Sequence, residues 1–317
     1  MTSNYKYLKS LKPYGSLLGV TGASAYVLSF FAPWYWVFDL LNHFLFYYLG
    51  ALSLSALLLG LAGEKNRTLL VAVFVVVCAF DLFRGQTLPQ RIEHASQLRM
   101  VHFNVNSANK NRRQILQELL RPELDLVVLL ETGPEWKTEF QALPKPWRLE
   151  AFVPETDNFG IALLSRIPLS KTRVVSLGPF SLATIETEIE LEGLTVLLLG
   201  VHAAPPINGE YAAARDAQLE KISQIVTTSS RAAIVAGDFN ATPWSHSLRA
   251  LQASTGLNNA YKVYSPTWPD GGMIQIPIDL SLYSKSLVVT ERRIGEAMGS
   301  DHKPVYVSFA RSGVLDE

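Results

Sequence analysis

The chain lacks several patterns that would place it in common classes of protein. It contains a single cysteine, Cys78, so an intrachain disulfide is excluded. No set of cysteines and histidines has the spacing of a zinc site, and a structural zinc ion is therefore not expected. Lys plus Arg and Asp plus Glu each number 28, and no strongly basic run is present. The sequence therefore gives no sign of the basic face that duplex-binding proteins usually show.

Charged residues are also scarce near the N-terminus, where the apolar residues are concentrated. The mean hydropathy of the whole chain is +0.15, which is high for a soluble enzyme. Three apolar runs, at residues 16–36, 40–63 and 68–83, are predicted to be transmembrane helices, although a buried core helix is the alternative for the third. A signal peptide would show only one such run. We therefore expect residues 1–83 to form a multi-pass membrane region.

The basic residues around these runs predict which side of the membrane the remainder faces. They lie before the first run and between the second and third: Lys6, Lys9, Lys12, Lys65 and Arg67. The turn between the first two runs has no Lys or Arg, so the positive-inside rule places the N-terminus in the cytoplasm. Three crossings then put everything after residue 83 outside the cytoplasm, on the plasma or bacterial inner membrane. If the third run does not cross, the side is reversed.

A polar connector at residues 84–98 precedes a region, residues 99–311, in which short apolar runs alternate with helical patterns. Helices are predicted at residues 112–120 and 211–226. Strands are predicted at residues 99–104, 124–130, 160–164, 183–189, 194–201, 231–236, 278–283 and 304–309. Several strands follow one another directly, which favours a mixed sheet or a pair of sheets over a purely parallel one.

Polar residues recur where these predicted strands end. They are Asn104, Glu131, His202, Asp238 with Asn240, and Asp279, and the pair Asp301 and His302 directly precedes the last strand. Each residue alone has an ordinary interpretation as a turn residue, a solvated strand end or a structural histidine. Strand ends meet along one edge of a sheet, so the set taken together predicts a single polar cleft.

The order of these residues resembles the endonuclease/exonuclease/phosphatase superfamily, which includes DNase I-like nucleases, abasic-site endonucleases, inositol-phosphate phosphatases and neutral sphingomyelinases. Residues 237–240 (Gly-Asp-Phe-Asn) and 300–302 (Ser-Asp-His) carry the resemblance as a pair. Residues 158–168 are similar to the family's second-strand signature, and Arg215 and Gln218 add support. The resemblance implies an α/β fold, a four-layer sandwich of two mixed sheets with helices outside, over residues 99–310.

The resemblance also implies roles for the residues of the cleft. Asp238 would orient or deprotonate the attacking water, and Asn240 would hold the phosphate or that water. His302, with its ring fixed by Asp279, would contact a phosphate oxygen or move a proton. His202 would contact the phosphate from the other side and protonate the leaving oxygen. Two further substrate contacts are expected from Asn106 and Asn158.

The cofactor implied by the resemblance is a divalent ion held by oxygen atoms. Asn104, Glu131 and Asp301 form a hard ligand set that suits Mg²⁺ or Mn²⁺. Some members of the family carry an aspartate at the position of Asn106. The asparagine leaves fewer carboxylates for metal, so one ion is expected rather than two.

The membrane region suggests which phosphate ester is the substrate. From residue 98 onward the chain has 21 Lys and Arg against 24 Asp and Glu, which disfavours nucleic acid. Held beside a bilayer, the cleft would meet a phospholipid or an isoprenoid pyrophosphate at high effective concentration. The chain is similar in this respect to the membrane-bound branch that includes teicoplanin-resistance proteins. Apolar residues at 263–278 are expected either to touch lipid or to pack on the core: Tyr264, Trp268, Met273, Ile274 and Ile276.

The leading expectation is therefore a membrane-anchored, metal-dependent phosphohydrolase that acts on a lipid outside the cytoplasm. The first alternative is a surface nuclease or phosphodiesterase that acts on nucleic acid. The second is a membrane protein that binds a ligand without catalysis, against which the complete catalytic set argues. No protein partner can be inferred from the sequence.

Overall fold

The structure is a computed structural model that describes residues 7–85, 89–90, 96–261 and 265–313. The connector at residues 86–88 and 91–95 and the candidate lipid contact Tyr264 lie outside the described residues. The chain divides into two compact units. One contains the residues up to Arg84 and the short segment Trp244–His246. The other contains Gly85–Pro243 and the residues from Ser247 onward.

The first unit is helical. Its helices are α1 (Lys12–Ser29), α2 (Trp36–Asn42), α3 (Leu45–Leu61) and α4 (Lys65–Phe83). Among the described residues, α4 alone is long and apolar enough to cross a membrane, and α2 with α3, bent by 63°, meets the same criterion when the two are taken as one span. Three separate spans are therefore not supported by length and composition, because α1 falls below the criterion.

Small residues of α1 pack inside this helical unit. Gly15, Gly19 and Gly22 are all buried on one face of α1. A Cβ atom on Gly19 would lie 2.6 Å from Oγ of Ser55 in α3. That Ser55 hydroxyl donates a hydrogen bond of 2.6 Å to the carbonyl of Gly15. Glycines four residues apart let helix backbones approach closely, as they commonly do in membrane helices.

Large apolar side chains lie on the outside of the same helices. Leu17 of α1 is 64% exposed, and Leu69 and Val76 of α4 are 70% and 67% exposed. A water-soluble bundle has the opposite arrangement, with its large apolar side chains inside and polar ones outside. The surface of this unit is therefore suited to an apolar surrounding.

The two ends of the helical unit carry different polar groups. At one end Lys12 forms an ion pair of 2.6 Å with Glu64, and Arg67 donates a hydrogen bond to Ser16. At the other end the buried hydroxyl of Tyr26 donates to Asp81, 2.7 Å away. The segment Trp244–His246 packs at this second end, where Trp244 Nε1 donates a hydrogen bond of 3.3 Å to the carbonyl of Leu82.

The second unit contains two sheets of six strands. The first-sheet strands are β1 (Leu98–Asn104), β2 (Leu126–Leu130), β3 (Arg148–Val153), β4 (Ile161–Ser165), β11 (Leu287–Ile294) and β12 (Val305–Arg311). The second-sheet strands are β5 (Ser170–Leu177), β6 (Leu182–Leu191), β7 (Leu194–His202), β8 (Ala232–Asp238), β9 (Asn258–Asn259) and β10 (Asp279–Tyr283). The first sheet has the order β11-β12-β1-β2-β4-β3 and the second the order β5-β6-β7-β8-β10-β9. Both sheets are mixed, since β1–β2 and β7–β8 are parallel, whereas pairs such as β1–β12 and β8–β10 are antiparallel.

Three apolar clusters hold these sheets in four layers. The central cluster fills the space between the sheets, with Met100 and Val128 on the first sheet facing Leu198 and Ile234 on the second. Helices α5 (Arg112–Leu119) and α6 (Lys137–Gln141) cover the outer face of the first sheet, and α7 (Gly209–Thr228) and α8 (His246–Thr255) cover that of the second. The α/β four-layer sandwich expected from the sequence is confirmed.

Candidate active site

Strand pairing brings the polar strand ends to one edge of the sandwich. In the first sheet Asn104, the last residue of β1, is in register with Leu130, so Glu131 follows directly beside it. In the second sheet His202 of β7 is in register with Asp238 of β8. Asp238 is in turn opposite Asp279, the first residue of β10. Parallel strands end at the same edge, which is why residues distant in sequence meet here.

Asn104 connects the two sheets. Its buried Nδ2 donates to Oε1 of Glu131 at 2.9 Å and to Oδ2 of Asp238 at 3.2 Å. The backbone N–H of Ser107 donates to the other oxygen of Glu131 at 2.9 Å. Ser300 fixes the strand end, because its hydroxyl donates to the carbonyl of Asn104 at 2.7 Å. One amide thus sets the positions of two carboxylates.

Asp238 lies at the centre of the cluster and is 1% exposed. Nε2 of His202 and Nε2 of His302 each lie 3.7 Å from its Oδ2. The backbone N–H of Asn240 donates to its Oδ1 at 2.8 Å. The side-chain amide of Asn240 donates to the carbonyl of Ala203, also at 2.8 Å. The backbone of Asn240 therefore fixes Oδ1 of Asp238, and both imidazole rings lie close to Oδ2.

His302 and Asp279 form a buried pair. The ring Nδ1 lies 2.9 Å from Oδ2 of Asp279. The carboxylate is held in place because the backbone N–H of Asp279 donates to the hydroxyl of Thr267 at 3.2 Å. The backbone N–H of His302 donates to Ser300 at 3.0 Å, which fixes the other member. Asp279 thus orients the imidazole of His302.

Asp301 lies at the exposed rim of the cluster with both carboxylate oxygens engaged. Asn106 donates to its Oδ1 at 2.7 Å, and Nε1 of Trp268 donates to its Oδ2 at 3.0 Å. Asn106 has a φ of 60°, the left-handed region that asparagine tolerates better than most residues. An aspartate at position 106 could not make this donation, because its ionised side chain is only an acceptor.

The surroundings of the ionisable groups set their charges. Burial disfavours a charged ring at both histidines and lowers the pKa of His202 to about 3, with the nearby charge of His302 acting in the same direction. At His302 the Asp279 and Asp238 carboxylates outweigh burial and raise the pKa to about 10. Burial, followed by the negative charge of Asp279, raises the pKa of Asp238. Burial also raises the pKa of Glu131.

The cluster offers ligand atoms for a cation. One atom each of Asp238, Asp279 and His302 lie within 4.8 Å of one another. Hard divalent ions prefer oxygen donors, and the cluster offers the carboxylates of Glu131 and Asp238, both of which accept hydrogen bonds from the Asn104 amide. This oxygen-rich set fits a hard divalent ion. Asp301, which the sequence analysis also expects to be a ligand, lies at the exposed rim, and its oxygens accept hydrogen bonds from Asn106 and Trp268.

Most of the residues predicted for the site lie together, with others at its margin. Asn104, Glu131, His202, Asp238, Asp279 and His302 form one connected group. Asn240 follows Asp238 closely, and its backbone carbonyl is 3.4 Å from Nη1 of the buried Arg215. Asn158 is exposed, and its Oδ1 accepts a hydrogen bond of 2.7 Å from Ser107.

The sequence analysis did not place Ser107, Thr267 or Trp268 in the site, and it cited Ser300 only as part of the Ser-Asp-His motif. Ser107 and Ser300 could have been predicted, because they are adjacent in sequence to the predicted site residues Asn106 and Asp301. No pattern in the sequence points to the indole of Trp268 as a partner of Asp301. The apolar residues that follow Trp268 divide in two, since Ile276 is buried and Met273 is 95% exposed.

A cavity of about 570 Å³ borders the cluster. Phe159 forms the wall between them, because it lines the cavity and its ring centroid lies 5.3 Å from that of His202. Another cavity, of about 480 Å³, lies between α5 and α6 and is lined by none of the cluster residues. The cavity beside His202 is therefore the better positioned of the two to hold part of a substrate.

Comparison with known proteins agrees with this fold and site. The model of the endonuclease/exonuclease/phosphatase family matches residues 101–302, which include every strand end of the cluster. No curated protein matches the chain.

Solved structures share the fold at low sequence identity. The human Nocturnin catalytic domain with bound sulfate is 22% identical, with a TM-score of 0.57 over 71% of this chain and 97% of that one. TDP2 of D. rerio, complexed with a single-strand DNA product, is 15% identical, with a TM-score of 0.55 over 68% and 99%. An endonuclease/exonuclease/phosphatase family protein from Leptotrichia buccalis is 15% identical, with a TM-score of 0.56 over 67% and 99%.

Proposed function

Because the chain belongs to the endonuclease/exonuclease/phosphatase family, we propose that it is a membrane-anchored, divalent-metal-dependent phosphohydrolase that acts on a lipid outside the cytoplasm. Members of this family are generally hydrolases of phosphoester bonds. The substrate we propose is a phosphate ester or pyrophosphate of a membrane lipid.

One observation carries the catalytic part of the proposal. Asn104 joins Glu131 of one sheet to Asp238 of the other, and the rings of His202 and His302 each lie 3.7 Å from the same oxygen of Asp238. Buried carboxylates and histidines with shifted pKa values are typical of catalytic sites. Residues with a purely structural role would not require the carboxylates of Glu131 and Asp238 to share one amide donor.

The charge states suggest how these residues divide the work. Asp238, whose pKa is raised towards neutrality, is suited to accept a proton from water. His302 is protonated at neutral pH, so it donates a hydrogen bond and stabilises negative charge on the phosphate. His202 is neutral and offers a ring N–H rather than a cation. We therefore assign charge stabilisation to His302 and the role of the base to Asp238.

The residues that would hold the metal are Asn104, Glu131 and Asp301, the oxygen-ligand set expected from the sequence, which leaves Asp238 to act as the base. A bound Mg²⁺ or Mn²⁺ would polarise a phosphoryl oxygen and neutralise charge that develops during attack. Asn104 and the Ser107 N–H keep the Glu131 oxygens in place for this purpose.

The helical unit supports a membrane location and a lipid substrate. Its outward side chains are large and apolar, whereas its buried ones include glycines and serines. This distribution suits hydrocarbon rather than water, and it includes α1, whose buried glycines lower its average hydropathy. We propose that α1, the α2–α3 pair and α4 are inserted together.

The basic end of the unit supports the outside location of the catalytic residues. Lys12 and Arg67 mark the end at which α4 begins, and α4 ends near Arg84 at the opposite end. If the positive end faces the cytoplasm, the chain leaves the membrane on the other side. This reasoning requires only that α4 crosses.

The test is hydrolysis by the purified full chain with Mg²⁺ on a panel of phospholipids, isoprenoid pyrophosphate and DNA. We expect lipid turnover, loss of that turnover by roughly 100-fold or more in Asp238→Ala, and intact DNA. Glu123→Ala, which changes an exposed carboxylate at the other end of β2, is the matched control and should retain activity.

Other outcomes separate the alternative functions. Nicked DNA without lipid turnover would favour a nuclease, and the TDP2 structure with a DNA product makes this the first alternative. Equal behaviour of wild type and Asp238→Ala on every substrate would overturn the catalytic proposal.

A further inference from the structure

The cavity beside His202 is built from three separate parts of the soluble unit. The loop between β3 and β4 supplies Glu155, Asp157 and Phe159, the turn between β5 and β6 supplies Phe180, and the first turn of α7 supplies Glu210 and Tyr211. At about 570 Å³, the cavity has room for a small polar headgroup. It is thus a candidate site for the part of a substrate that lies next to the reacting phosphate.

The charge of the cavity is negative. Glu155, Asp157 and Glu210 line it, and no lysine or arginine does. None of these carboxylates has an ion-pair partner within the part of the chain that the structure describes. Asp157 accepts the backbone N–H of Phe159, at 2.9 Å.

Carboxylates elsewhere on the second sheet have ion-pair partners. Glu186 and Glu188 are paired with the guanidinium groups of Arg173 and Arg231. The carboxylates of the cavity lack such neighbours, so a cation that entered the cavity would find their negative charge available.

Aromatic rings form the apolar part of the same cavity. Phe180 and Tyr211 meet edge to face, with ring centroids 4.8 Å apart, and Phe159 completes the wall next to His202. The face of an aromatic ring attracts cations, and quaternary ammonium groups are commonly bound by several rings together. Rings combined with unpaired carboxylates therefore suit an organic cation.

His202 lies at the boundary between the cavity and the cluster. It is 3% exposed, and its ring lies near the backbone of Asn158. The ring is also in contact with Phe159 of the cavity wall. The cavity and the cluster are therefore adjacent.

We propose that this cavity binds a positively charged group of the substrate, an ammonium or quaternary ammonium carried by an alcohol esterified to the phosphate. The inference rests on the proposed function and narrows it. Among membrane lipids it favours a phospholipid with a cationic headgroup over an isoprenoid pyrophosphate, whose charges are all negative.

An anion is the competing occupant of the cavity. The first turn of α7 presents backbone N–H groups, which attract anions. Here the Asn208 side chain already accepts the N–H of Tyr211, and Glu210 places a negative charge in that turn. Three carboxylates and no basic side chain leave the cavity repulsive to a phosphate.

The test compares two soluble esters that release the same product. p-Nitrophenyl phosphorylcholine and p-nitrophenyl 3,3-dimethylbutyl phosphate differ only in the charge of one centre, since a carbon replaces the nitrogen in the second. With full-length protein and Mg²⁺, we expect the choline ester to be preferred about tenfold in kcat/KM, mainly through KM. Replacing Glu155→Gln, Asp157→Asn and Glu210→Gln together should reduce the preference to about one, while Glu123→Gln, with a remote exposed charge removed, should keep it.

A binding measurement separates failure of this inference from failure of the proposed function. Choline, but not 3,3-dimethylbutanol, should bind wild type and Asp238→Ala alike in a calorimetric titration, and the triple variant should lose that binding. Hydrolysis of both esters at equal rates, with no choline binding, would overturn the inference alone. Absence of any turnover above Asp238→Ala would overturn the proposed function, while choline binding would still decide the inference.

The source of the cationic group is a separate arm of the experiment. Phosphatidylcholine in vesicles and free glycerophosphocholine present the same headgroup. Turnover of the vesicle lipid alone indicates a membrane substrate, and turnover of both indicates that a soluble ester is accepted as well. Lack of turnover of either, with choline binding absent as well, contradicts the inference.

Discussion

The two histidines of the cluster differ in charge at neutral pH because their neighbours differ. His202 is buried against Phe159 and has no carboxylate within hydrogen-bonding distance, so its neutral form is favoured. His302 is buried as well, yet it forms a hydrogen bond of 2.9 Å with Asp279. The negative charge of a close partner outweighs burial, and the imidazolium persists.

Replacing Asp279 with asparagine tests this account. The amide cannot stabilise a cation as a carboxylate does, so we expect the pKa of His302 to fall from about 10 in Asp279→Asn. An NMR titration of the histidine ring protons measures this directly. Turnover should fall as well, since the ring would lose both its charge and its orientation. A pKa that does not move would show that Asp238 alone maintains the cation.

The same shift makes stability depend on pH. The folded pKa of His302 lies above its ordinary value of 6.5, so the folded state binds the proton more tightly than the unfolded state does. This stabilisation is fully present below the ordinary pKa and is lost as the pH rises through about 10. The measurement is the free energy of unfolding of wild type and of Asp279→Asn as a function of pH. The difference between the two proteins should be present at low pH and should disappear at alkaline pH.

Asp301 illustrates what residue types alone cannot predict. Its position before His302 identifies it as part of the site, and the sequence analysis assigned it to the metal. The structure instead shows both oxygens accepting hydrogen bonds, from Asn106 and Trp268. These donors lie far from Asp301 in sequence, and their contact depends on the packing of two loops. Its role as a metal ligand stays a prediction.

Trp268 provides a measurement of that role. An ion bound to Asp301 would place a positive charge beside the carboxylate that accepts the indole N–H of Trp268. We therefore expect Mg²⁺ to change the tryptophan emission of wild type and to leave that of Trp268→Phe unchanged. Equal responses of the two proteins would indicate that the ion binds without disturbing Asp301.

At the scale of elements, the strands that the sequence predicted are the central ones. Short strand-like runs in the sequence identify β1, β2, β4, β6, β7, β8, β10 and β12. The strands that were not predicted are β3, β5, β9 and β11, and these are the four edges of the two sheets. Edge strands are half exposed and carry charges that discourage pairing with other chains. In β5 only one of eight residues is buried, so the apolar signal is absent.

The end of β8 requires glycine at position 237 for a reason that only the structure shows. Gly237 has a φ of 145°, and a Cβ atom there would lie 1.9 Å from the carbonyl oxygen of Val201 in β7. This close approach places Asp238 beside His202. The sequence predicts that the strand ends at residue 236, but the structure continues β8 through Gly237 to Asp238, and the neighbouring backbone that excludes a side chain is not visible in the sequence.

Gly237→Ala should therefore destabilise the protein by at least about 3 kcal/mol, because neither backbone can move without displacing the site. Gly256→Ala is the matched control. Its φ of 69° is also unfavourable for alanine, but no atom lies within 4 Å of the added Cβ, so a cost of about 1 kcal/mol is expected. Chemical denaturation of both variants measures the difference, and equal losses would contradict the clash.

At the scale of the whole molecule, average hydropathy underestimates α1. The glycines that allow it to pack on α3 lower its mean, while its outward residues include the large apolar side chains of Leu17, Val20 and Leu28. The sequence analysis therefore located the three apolar regions, but it could not distinguish a span from a packing helix. Their crossing and their sidedness stay predictions.

Single-cysteine variants test the sidedness. Cys78 is buried and can be replaced by alanine to give a cysteine-free background. A thiol reagent that does not cross membranes should label Glu192→Cys on intact cells and Lys65→Cys only after the cells are opened. The reverse pattern would place the catalytic residues in the cytoplasm, and labelling of both on intact cells would exclude α4 as a span.

The membership of Trp244–His246 in the helical unit has a consequence for biosynthesis. The hydrogen bond from Trp244 to Leu82 joins residues that leave the ribosome far apart in time. The four helices are synthesised first, yet their unit gains its last piece only after most of the strands have been made. Translation halted at the connector would therefore leave an incomplete helical unit, and its completion must wait for the part of the chain that carries Asp238.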